Sequence, residues 1–258
     1  IMKSYSELAG RIVKWISDYA KENEISTLVI GVSGGVDSAV TSTLCAETGL
    51  RTIALSMPIH QRKSQNDLSL SHCNWLKSNW NNVETDIIDL SETFDSISLA
   101  LGSKGNSEMA LANTRARLRM ATLYAFAASN EGIVVGTGNK VEDFGVGFYT
   151  KYGDGGVDIS PIADLYKSEV FSLASSLGII QEIQEAAPTD GLWADGRTDE
   201  EQIGATYEEL EWAMREIENP SEEEQSERQR KVMVRYMELN KANSHKMKPI
   251  PVFNRTDR

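Results

Sequence analysis

Short apolar runs alternate with longer stretches of mixed polarity along the first part of the chain. Four runs rich in β-branched residues predict strands buried on both faces. The stretches around them are rich in helix-forming residues. In the stretch nearest the N-terminus, apolar residues recur every three or four positions. The predicted strands are 27–32, 52–57, 86–90 and 132–137. The predicted helices are 7–20, 36–48, 64–79 and 107–130.

This alternation of strand and helix predicts an α/β fold with a doubly wound parallel sheet and right-handed crossovers. The short run VDIS at 157–160 is a candidate fifth strand, so the sheet is expected to have about five strands. We place the sheet core at about 26–180. Its carboxyl edge is where ligands are expected to bind.

Beyond residue 198 the composition changes to Glu, Gln and Arg with sparse apolar residues. This composition predicts additional helices over 198–258, including a charged helix at 221–243, packed on the sheet core. Because these helices are expected to pack on the sheet core and not to form an independent unit, we expect residues 1–258 to form a single domain.

Charge and cysteine content narrow the function classes. A net charge of −12 and a pI near 4.8 argue against a nucleic-acid-binding protein, because phosphate backbones are bound chiefly by Lys and Arg. Cys45 and Cys73 lack the spacing of a zinc site or redox pair, which favours a reducing cytoplasm. No apolar run approaches the roughly 18 residues that a membrane helix needs, and no membrane is expected as a partner.

The clearest chemical motif is GVSGGVDS at 31–38, between a predicted strand and a predicted helix. Such a turn directs backbone N–H groups toward one point at the positive end of the helix dipole, where an anion binds. The stretch lacks the Lys of a Walker A loop and the glycine spacing of a dinucleotide fold. Asp37 would repel phosphate unless a cation intervened, which predicts Mg²⁺.

SGGVDS resembles the pyrophosphate-binding loop of the N-type ATP pyrophosphatases, or PP-loop family, which cleave ATP between its α and β phosphates. Further motifs are similar to those of one branch, the ammonia-dependent NAD(+) synthetases. They are NTRARLRM at 113–120, the run from GTGNKVE to DLYKSEV at 136–170, APTDGLW at 187–193, TDEEQIGATYEEL at 198–210, and HK at 245–246. This resemblance implies a fold like that of the adenine nucleotide alpha hydrolases.

The resemblance also implies a reaction. It is the ATP-dependent amidation of deamido-NAD by ammonia, giving NAD, AMP and pyrophosphate through an adenylated carboxylate. Adenylation removes the negative charge of the nicotinate carboxylate and supplies a leaving group. Glutamine-using relatives carry an extra nitrilase-like domain that 258 residues do not accommodate. Free ammonia, or a separate glutaminase, is therefore the expected nitrogen source.

Site residues follow from matching positions, and the resemblance implies three groups. ATP would be bound by Gly31, Ser33, Gly34, Gly35, Val36, Asp37, Ser38, Thr137, Lys167 and Thr189. Deamido-NAD would be bound by Arg117, Lys151, Asp158, His245 and Lys246, and the catalytic residues would be Asp37, Lys151 and Asp154. Mg²⁺ would be held by Asp37 and Glu142.

The metal assignment contains an ambiguity. Between Glu142 and TKYGDGG the chain has one residue more than the family spacing, so Glu142 and Asp143 both remain candidates for the second ligand.

Two alternative functions are a tRNA-modifying enzyme of the same loop family and a nucleotide-binding protein without catalytic activity. The acidic composition and TKYGDGG argue against the first, whereas Asp37, Glu142 and Lys167 argue against the second. The resemblance further implies a homodimer, and the helix at 107–130 is the candidate interface, although a helix that covers the sheet would have the same pattern.

Overall fold

The computed structural model describes residues 4–189, 198–222 and 224–255. A four-stranded parallel sheet with the order β3-β2-β1-β4 forms its centre. The strands are β1, Thr27–Gly31; β2, Arg51–Ser56; β3, Val83–Ile87; and β4, Gly132–Val134. Because β1 and β2 are central, their apolar residues are covered on both faces, as the sequence pattern predicts.

The α/β class and the parallel sheet are confirmed, whereas the expected strand count is wrong. Residues 157–160 make one parallel bridge, Val135 to Ile159, and form no strand. Pro161 follows directly and has no N–H to extend a ladder. β3 also begins and ends three residues before the predicted 86–90. It is an edge strand with alternating exposure, so its apolar run does not mark its bounds.

Helices cover both faces of the sheet. The helices are α1, Tyr5–Glu22; α2, Val36–Glu47; α3, Lys63–Asn79; α4, Ser91–Gly105; α5, Glu108–Ser129; α6, Lys167–Ser176; α7, Gln181–Gln184; α8, Asp199–Ile203; α9, Tyr207–Glu218; and α10, Glu227–Met247. α1, α2 and α6 contribute to the core on one face, with Ile16, Leu44 and Leu173 fully buried. α5 packs on β1 and β4 at the other face.

The C-terminal helices build a second hydrophobic core. α9 and α10 pack against each other and against a six-residue π-helix, Val141–Val146, which follows β4. Leu210 and Val141 are fully buried there, beside Tyr236. α10 begins later than the predicted 221, because Ser226 caps it by accepting from the Gln229 backbone N–H. The C-terminal part is therefore joined to the sheet through the segment that follows β4.

Two further predictions concern the environment of the chain. No helix within 4–189, 198–222 and 224–255 has the length and apolar character needed to cross a membrane. Cys45 and Cys73 are both buried and free. Burial raises the pKa of the Cys45 thiol to about 12, so this thiol is protonated at neutral pH.

Candidate active site

The glycine turn between β1 and α2 is held by its own side chains. Ser38 Oγ donates to the Gly35 carbonyl at 2.9 Å and accepts from the Ser33 N–H at 3.2 Å. The two serine hydroxyls are 3.1 Å apart, and the Gly35 N–H donates to Ser33 Oγ. No side chain caps the N-terminus of α2, which begins at Val36. Its first N–H groups therefore face the end of the sheet, as an anion site requires.

Gly34 is the one position of this turn with a positive φ, +91°. A Cβ atom there would lie 2.9 Å from the Gln65 carbonyl oxygen and 3.0 Å from the Ser69 nitrogen, both in α3. Ser69 Oγ in turn donates to the Val32 carbonyl at 2.8 Å. α3 thus supports the turn from behind, and only glycine satisfies both the backbone angle and the available space.

Three charged side chains from different elements meet beside the turn. Lys167, the first residue of α6, places its Nζ 2.5 Å from Asp37 Oδ2 and 3.0 Å from Glu142 Oε1. Asp37 is in the first turn of α2 and Glu142 is in the π-helix. The lysine side chain is 3% exposed and each carboxylate 17%. We call Asp37, Glu142 and Lys167 the charged cluster.

Neighbouring polar groups hold the two carboxylates in place. Asn139 is fully buried and its Nδ2 donates to Asp37 Oδ1 at 3.1 Å. The Asn139 Oδ1 accepts from the Val141 and Glu142 N–H groups. The Tyr207 hydroxyl donates to Glu142 Oε1 at 2.5 Å, and the Tyr207 ring lies 4.7 Å from Lys167 Nζ. The cluster is thus part of a network that joins the sheet to α9.

Burial and charge act in opposite directions on the pKa values in this cluster. Burial raises the pKa of Asp37, and attraction to Lys167 only partly opposes the shift. Burial also acts to raise the pKa of Glu142, but attraction to Lys167 and the hydrogen bond from Tyr207 outweigh it and leave this pKa lowered. The two carboxylates together hold the pKa of Lys167 above its ordinary value despite burial. Lys167 is therefore charged at neutral pH.

Glu142 and Asp143, the two candidates for the second metal ligand, both lie in the π-helix. A π-helix contains one residue more per turn than the equivalent α-helical path. Glu142 thereby reaches the charged cluster, whereas Asp143 lies against Gly138, where a Cβ atom would be within 1.9 Å of Asp143 Oδ2. Burial and repulsion from Glu142, Asp154 and Asp37 raise the pKa of Asp143 well above its ordinary value.

The glycine-rich loop that follows contains Asp154. Its Oδ1 accepts from the Thr150 N–H at 2.9 Å, so the carboxylate faces the loop although the residue as a whole is exposed. Desolvation of the carboxylate, the largest contribution, raises the pKa of Asp154 to about 6. Lys246 of α10 donates to the carbonyls of Gly147 and Tyr149 at 2.8 and 2.7 Å. The end of α10 therefore fixes the start of this loop.

Three of the residues predicted to bind deamido-NAD are joined by hydrogen bonds. Lys151 Nζ donates to the His245 carbonyl at 2.8 Å, and Arg117 donates to the Lys151 carbonyl at 3.2 and 3.3 Å. Asp158 lies apart from them and accepts from the Val134 N–H at 2.7 Å and from the Tyr124 hydroxyl at 3.0 Å. In this conformation Asp158 links the end of β4 to α5.

Two predicted ATP residues, Thr137 and Thr189, lie in segments without helix or strand. β4 ends at Val134, so Thr137 lies beyond its end and not on the strand as the sequence pattern predicts. Thr189 is half-buried and is the last residue described before the gap. Residues 190–193 of the APTDGLW motif lie outside the described residues.

Sequence reasoning missed Asn139 and Tyr207 as members of the network. Asn139 stands in the GTGNKVE motif, five residues after the end of β4, and a polar amide in a motif beyond a strand end was a usable signal. Tyr207 lies 65 residues from Glu142 in sequence and looks like an ordinary core tyrosine of an amphipathic helix. Among the described residues no group of three or more His, Cys, Asp or Glu side chains is arranged to hold a metal ion.

A parallel α/β sheet with an uncapped glycine turn and adjacent carboxylates defines a nucleotide-phosphate-binding protein of the α/β class. The family model for NAD synthase matches residues 8–250, and the chain belongs to this family. It is 36% identical over 208 residues to the NH(3)-dependent NAD(+) synthetase of Finegoldia magna, covering 80% of this chain and 83% of that protein.

Two solved structures are similar over nearly the whole chain. The NMN synthetase from Francisella tularensis has a TM-score of 0.85 and 34% identity, covering 97% of this chain and 99% of that one. The NH3-dependent NAD synthetase from Campylobacter jejuni, solved with nitrate, has a TM-score of 0.78 and 26% identity, covering 97% and 100%. Both relatives have synthetase names, but the names differ in the nucleotide.

Proposed function

We propose that this protein is a ligase that uses ATP to amidate the nicotinate carboxylate of deamido-NAD with ammonia, giving NAD, AMP and pyrophosphate. The observation that carries the proposal is the charged cluster beside the glycine turn, in a chain that belongs to the NAD synthase family. Family membership favours this function over a tRNA-modifying enzyme and over a nucleotide-binding protein without activity.

We assign the turn and the start of α2 to the phosphates of ATP. The uncapped N–H groups of α2 and the hydroxyls of Ser33 and Ser38 are donors for phosphate oxygens. Lys167 contributes a positive charge for the phosphates that leave as pyrophosphate. Gly31, Gly34, Gly35 and Val36 contribute backbone, and Thr137 and Thr189 are assigned to ATP from the family motifs.

Asp37 and Glu142 are the residues that would hold a divalent cation, and their chemistry fits Mg²⁺. Both are carboxylates with an oxygen directed at the same point, now the position of Lys167 Nζ. Mg²⁺ prefers one or two carboxylates completed by water and substrate phosphates. The bound ion would neutralise charge on the leaving pyrophosphate. We choose Glu142 over Asp143 because Asp143 is directed at Gly138.

The loop at 147–154 and the end of α10 form the side of the site that we assign to deamido-NAD. Arg117, Lys151, His245 and Lys246 are near neighbours there and supply positive charge and donors for an anionic dinucleotide. Lys151 now donates to the His245 carbonyl of α10 and Lys246 to the loop carbonyls of Gly147 and Tyr149, so binding of deamido-NAD would exchange these hydrogen bonds. We assign Asp158 to the same substrate from its place in the motif.

We assign Asp154 to the second chemical step. Ammonium must lose a proton before its nitrogen can attack the adenylated carboxyl carbon. With a pKa raised to about 6, the Asp154 carboxylate is a stronger base than an ordinary aspartate and remains ionised at neutral pH. It can therefore attract the ammonium ion and accept its proton, after which ammonia displaces AMP.

A second candidate acceptor is nicotinate mononucleotide, which would give NMN. The observation that favours it is the similarity to the Francisella NMN synthetase, with a TM-score of 0.85. The chemistry at the carboxylate is the same for both acceptors, and they differ only in the adenylate half. We retain deamido-NAD as the first choice because the curated relatives are named NAD(+) synthetases.

We infer that the protein works as a homodimer in the cytoplasm with free ammonia, or with ammonia from a separate glutaminase. α4 and α5 carry apolar side chains that the chain itself leaves uncovered, with Leu99 84%, Met109 58% and Leu101 42% exposed. A second copy would cover these side chains. The free, buried cysteines fit a reducing compartment.

Pyrophosphate release tests the proposal directly. Purified protein is incubated with ATP and Mg²⁺, with ammonium present or omitted, and with deamido-NAD, nicotinate mononucleotide or no acceptor. We expect release that requires deamido-NAD, with NAD forming only when ammonium is added. Faster release with the mononucleotide, and NMN as the product, would select the second candidate. Absence of release with either acceptor would refute the amidation.

A further inference from the structure

The ammonium of Lys167 occupies the point at which the proposed metal ligands converge. Its Nζ is within 3.0 Å of one oxygen from each carboxylate, and the lysine side chain is 3% exposed. A Mg²⁺ ion must approach carboxylate oxygens to about 2.0–2.1 Å. The ion and the ammonium cannot occupy this space together, so Lys167 must move before the metal binds.

Neighbouring residues keep the carboxylates fixed while the lysine is present. Asn139 holds Asp37 and Tyr207 holds Glu142, each through a hydrogen bond to its carboxylate oxygens. The Tyr207 ring lies 4.7 Å from Lys167 Nζ and shields it from another side. The two carboxylates are therefore held beside one another by groups other than the lysine, and the lysine is the group that has to be displaced.

The charges explain when that displacement is favourable. Two carboxylates and one ammonium give this buried cluster a net charge of −1. A divalent cation that replaced the ammonium would neutralise the carboxylates but leave the displaced lysine, which is 3% exposed, without a counter-charge. An uncompensated charge in a buried site is unfavourable. The phosphates of ATP supply negative charge for both the lysine and the metal, so the nucleotide makes the exchange possible.

We propose that Lys167 is the resident counter-ion of Asp37 and Glu142 and excludes divalent cations until ATP arrives, so that metal enters together with the nucleotide. The inference rests on the proposed function for the assignment of the two ligands. It adds an order of binding, in which Lys167 passes from the carboxylates to the phosphates as Mg²⁺ takes its place.

The wild-type protein provides the first test, with Mn²⁺ as a paramagnetic probe. Electron paramagnetic resonance is recorded with protein and Mn²⁺, then with the non-cleavable analogue α,β-methylene ATP added. We expect no protein-bound Mn²⁺ without the analogue and one bound ion per chain with it. Binding of Mn²⁺ to the nucleotide-free protein that disappears in Asp37→Asn would overturn the proposal.

Removing the lysine charge provides the second test. Lys167→Met should bind Mn²⁺ without nucleotide, roughly tenfold more tightly or better, since two carboxylates are then left without a partner. Its melting temperature should also rise with added Mn²⁺. Lys140→Met, which removes a lysine paired with Asp164 and Glu218, is the matched control and should behave as wild type. A folded Lys167→Met that binds no Mn²⁺ also overturns the proposal.

These measurements contain no acceptor, so they do not depend on which nicotinate nucleotide is amidated. Failure of the proposed function would appear as absent pyrophosphate release while nucleotide-dependent Mn²⁺ binding persists. Failure of the metal-exclusion proposal would appear as Mn²⁺ binding before nucleotide in an otherwise active enzyme. If Lys167→Met does not fold, the wild-type experiment still decides the question.

Discussion

The two sides of the site are built in different ways. The phosphate side is a local structure, in which Ser33, Gly35 and Ser38 bond within five residues of one another. The side that we assign to deamido-NAD, here called the acceptor side, depends on contacts between distant segments, such as Lys246 to Gly147 and Lys151 to His245. The first is therefore fixed by a short sequence, whereas the second exists only when the C-terminal core has formed.

Glu142 connects the two sides. It belongs to the π-helix that packs in the second core, yet its carboxylate faces Lys167 beside the phosphate turn. Tyr207, at the start of α9, bonds to the same carboxylate. The position of this proposed metal ligand thus depends on the helices of the second core. Substitutions on either side can therefore separate the local contribution from the distant one.

The largest effect is expected on the local side, from Asp37→Asn. The substitution keeps the shape of the side chain but removes the charge that pairs with Lys167 and that we assign to Mg²⁺. We expect pyrophosphate release to fall about 10³-fold, as for the loss of a main electrostatic contact. Asp18→Asn, in an exposed pair with Lys14, is the control. A loss smaller than tenfold would contradict the assignment.

Tyr207→Phe tests whether the second core positions the metal ligand. Loss of the hydroxyl leaves Glu142 without its 2.5 Å hydrogen bond, although the ring still packs in the core. The Mg²⁺ concentration needed for half-maximal activity should rise about 10- to 100-fold, as for other residues that orient metal ligands. Tyr236→Phe, in the same core, should leave it unchanged. Equal effects of the two variants would contradict the claim that the Tyr207 hydroxyl positions Glu142.

Lys151→Ala should produce a smaller and more selective effect on the acceptor side. We expect the KM for deamido-NAD to rise about tenfold while the KM for ATP is unchanged, because this lysine lies on the 147–154 loop and not in the charged cluster. Lys241→Ala, exposed on α10, is the control. An unchanged acceptor KM would show that Lys151 serves only to hold the His245 carbonyl.

The smallest expected effect is a change in the free energy of unfolding with pH, caused by His72 of α3. His72 is fully buried between α2 and α3, bonded to Ser42 at 2.9 Å, and burial lowers its pKa to about 4. The unfolded chain, with the ordinary pKa near 6.5, binds the proton more readily, so His72 adds to stability above that pH and loses it on acidification. We expect the free energy of unfolding to fall by about 1 kcal/mol between pH 7 and 5.5 from this residue.

Urea unfolding at the two pH values measures this loss. His72→Gln should lack this share of the pH dependence, because the amide does not titrate. His60→Gln, which changes an exposed histidine, should retain it. Equal pH dependence in wild type and His72→Gln would contradict the pKa assignment.

Sequence patterns predicted the central strands, whose residues are buried on two faces, and the two helices that follow them. β1, β2, α2 and α3 lie within one residue of their predicted bounds. The pattern failed at β3, whose edge position exposes alternate residues, and it overestimated the segment at 157–160. In both cases the number of neighbours of a strand decided its extent, and that number is a property of the assembled sheet.

What the sequence determined by itself is the glycine turn that we assign to phosphate and the presence of a carboxylate beside it, because glycine conformation, serine hydroxyls and a helix start act over a few residues. The tertiary structure decided the partners of that carboxylate. Lys167 is 130 residues from Asp37, and Asn139 is 102 residues away. Such contacts form only when the two hydrophobic cores bring distant helices together. Charged side chains that become buried there must then pair with charges of opposite sign.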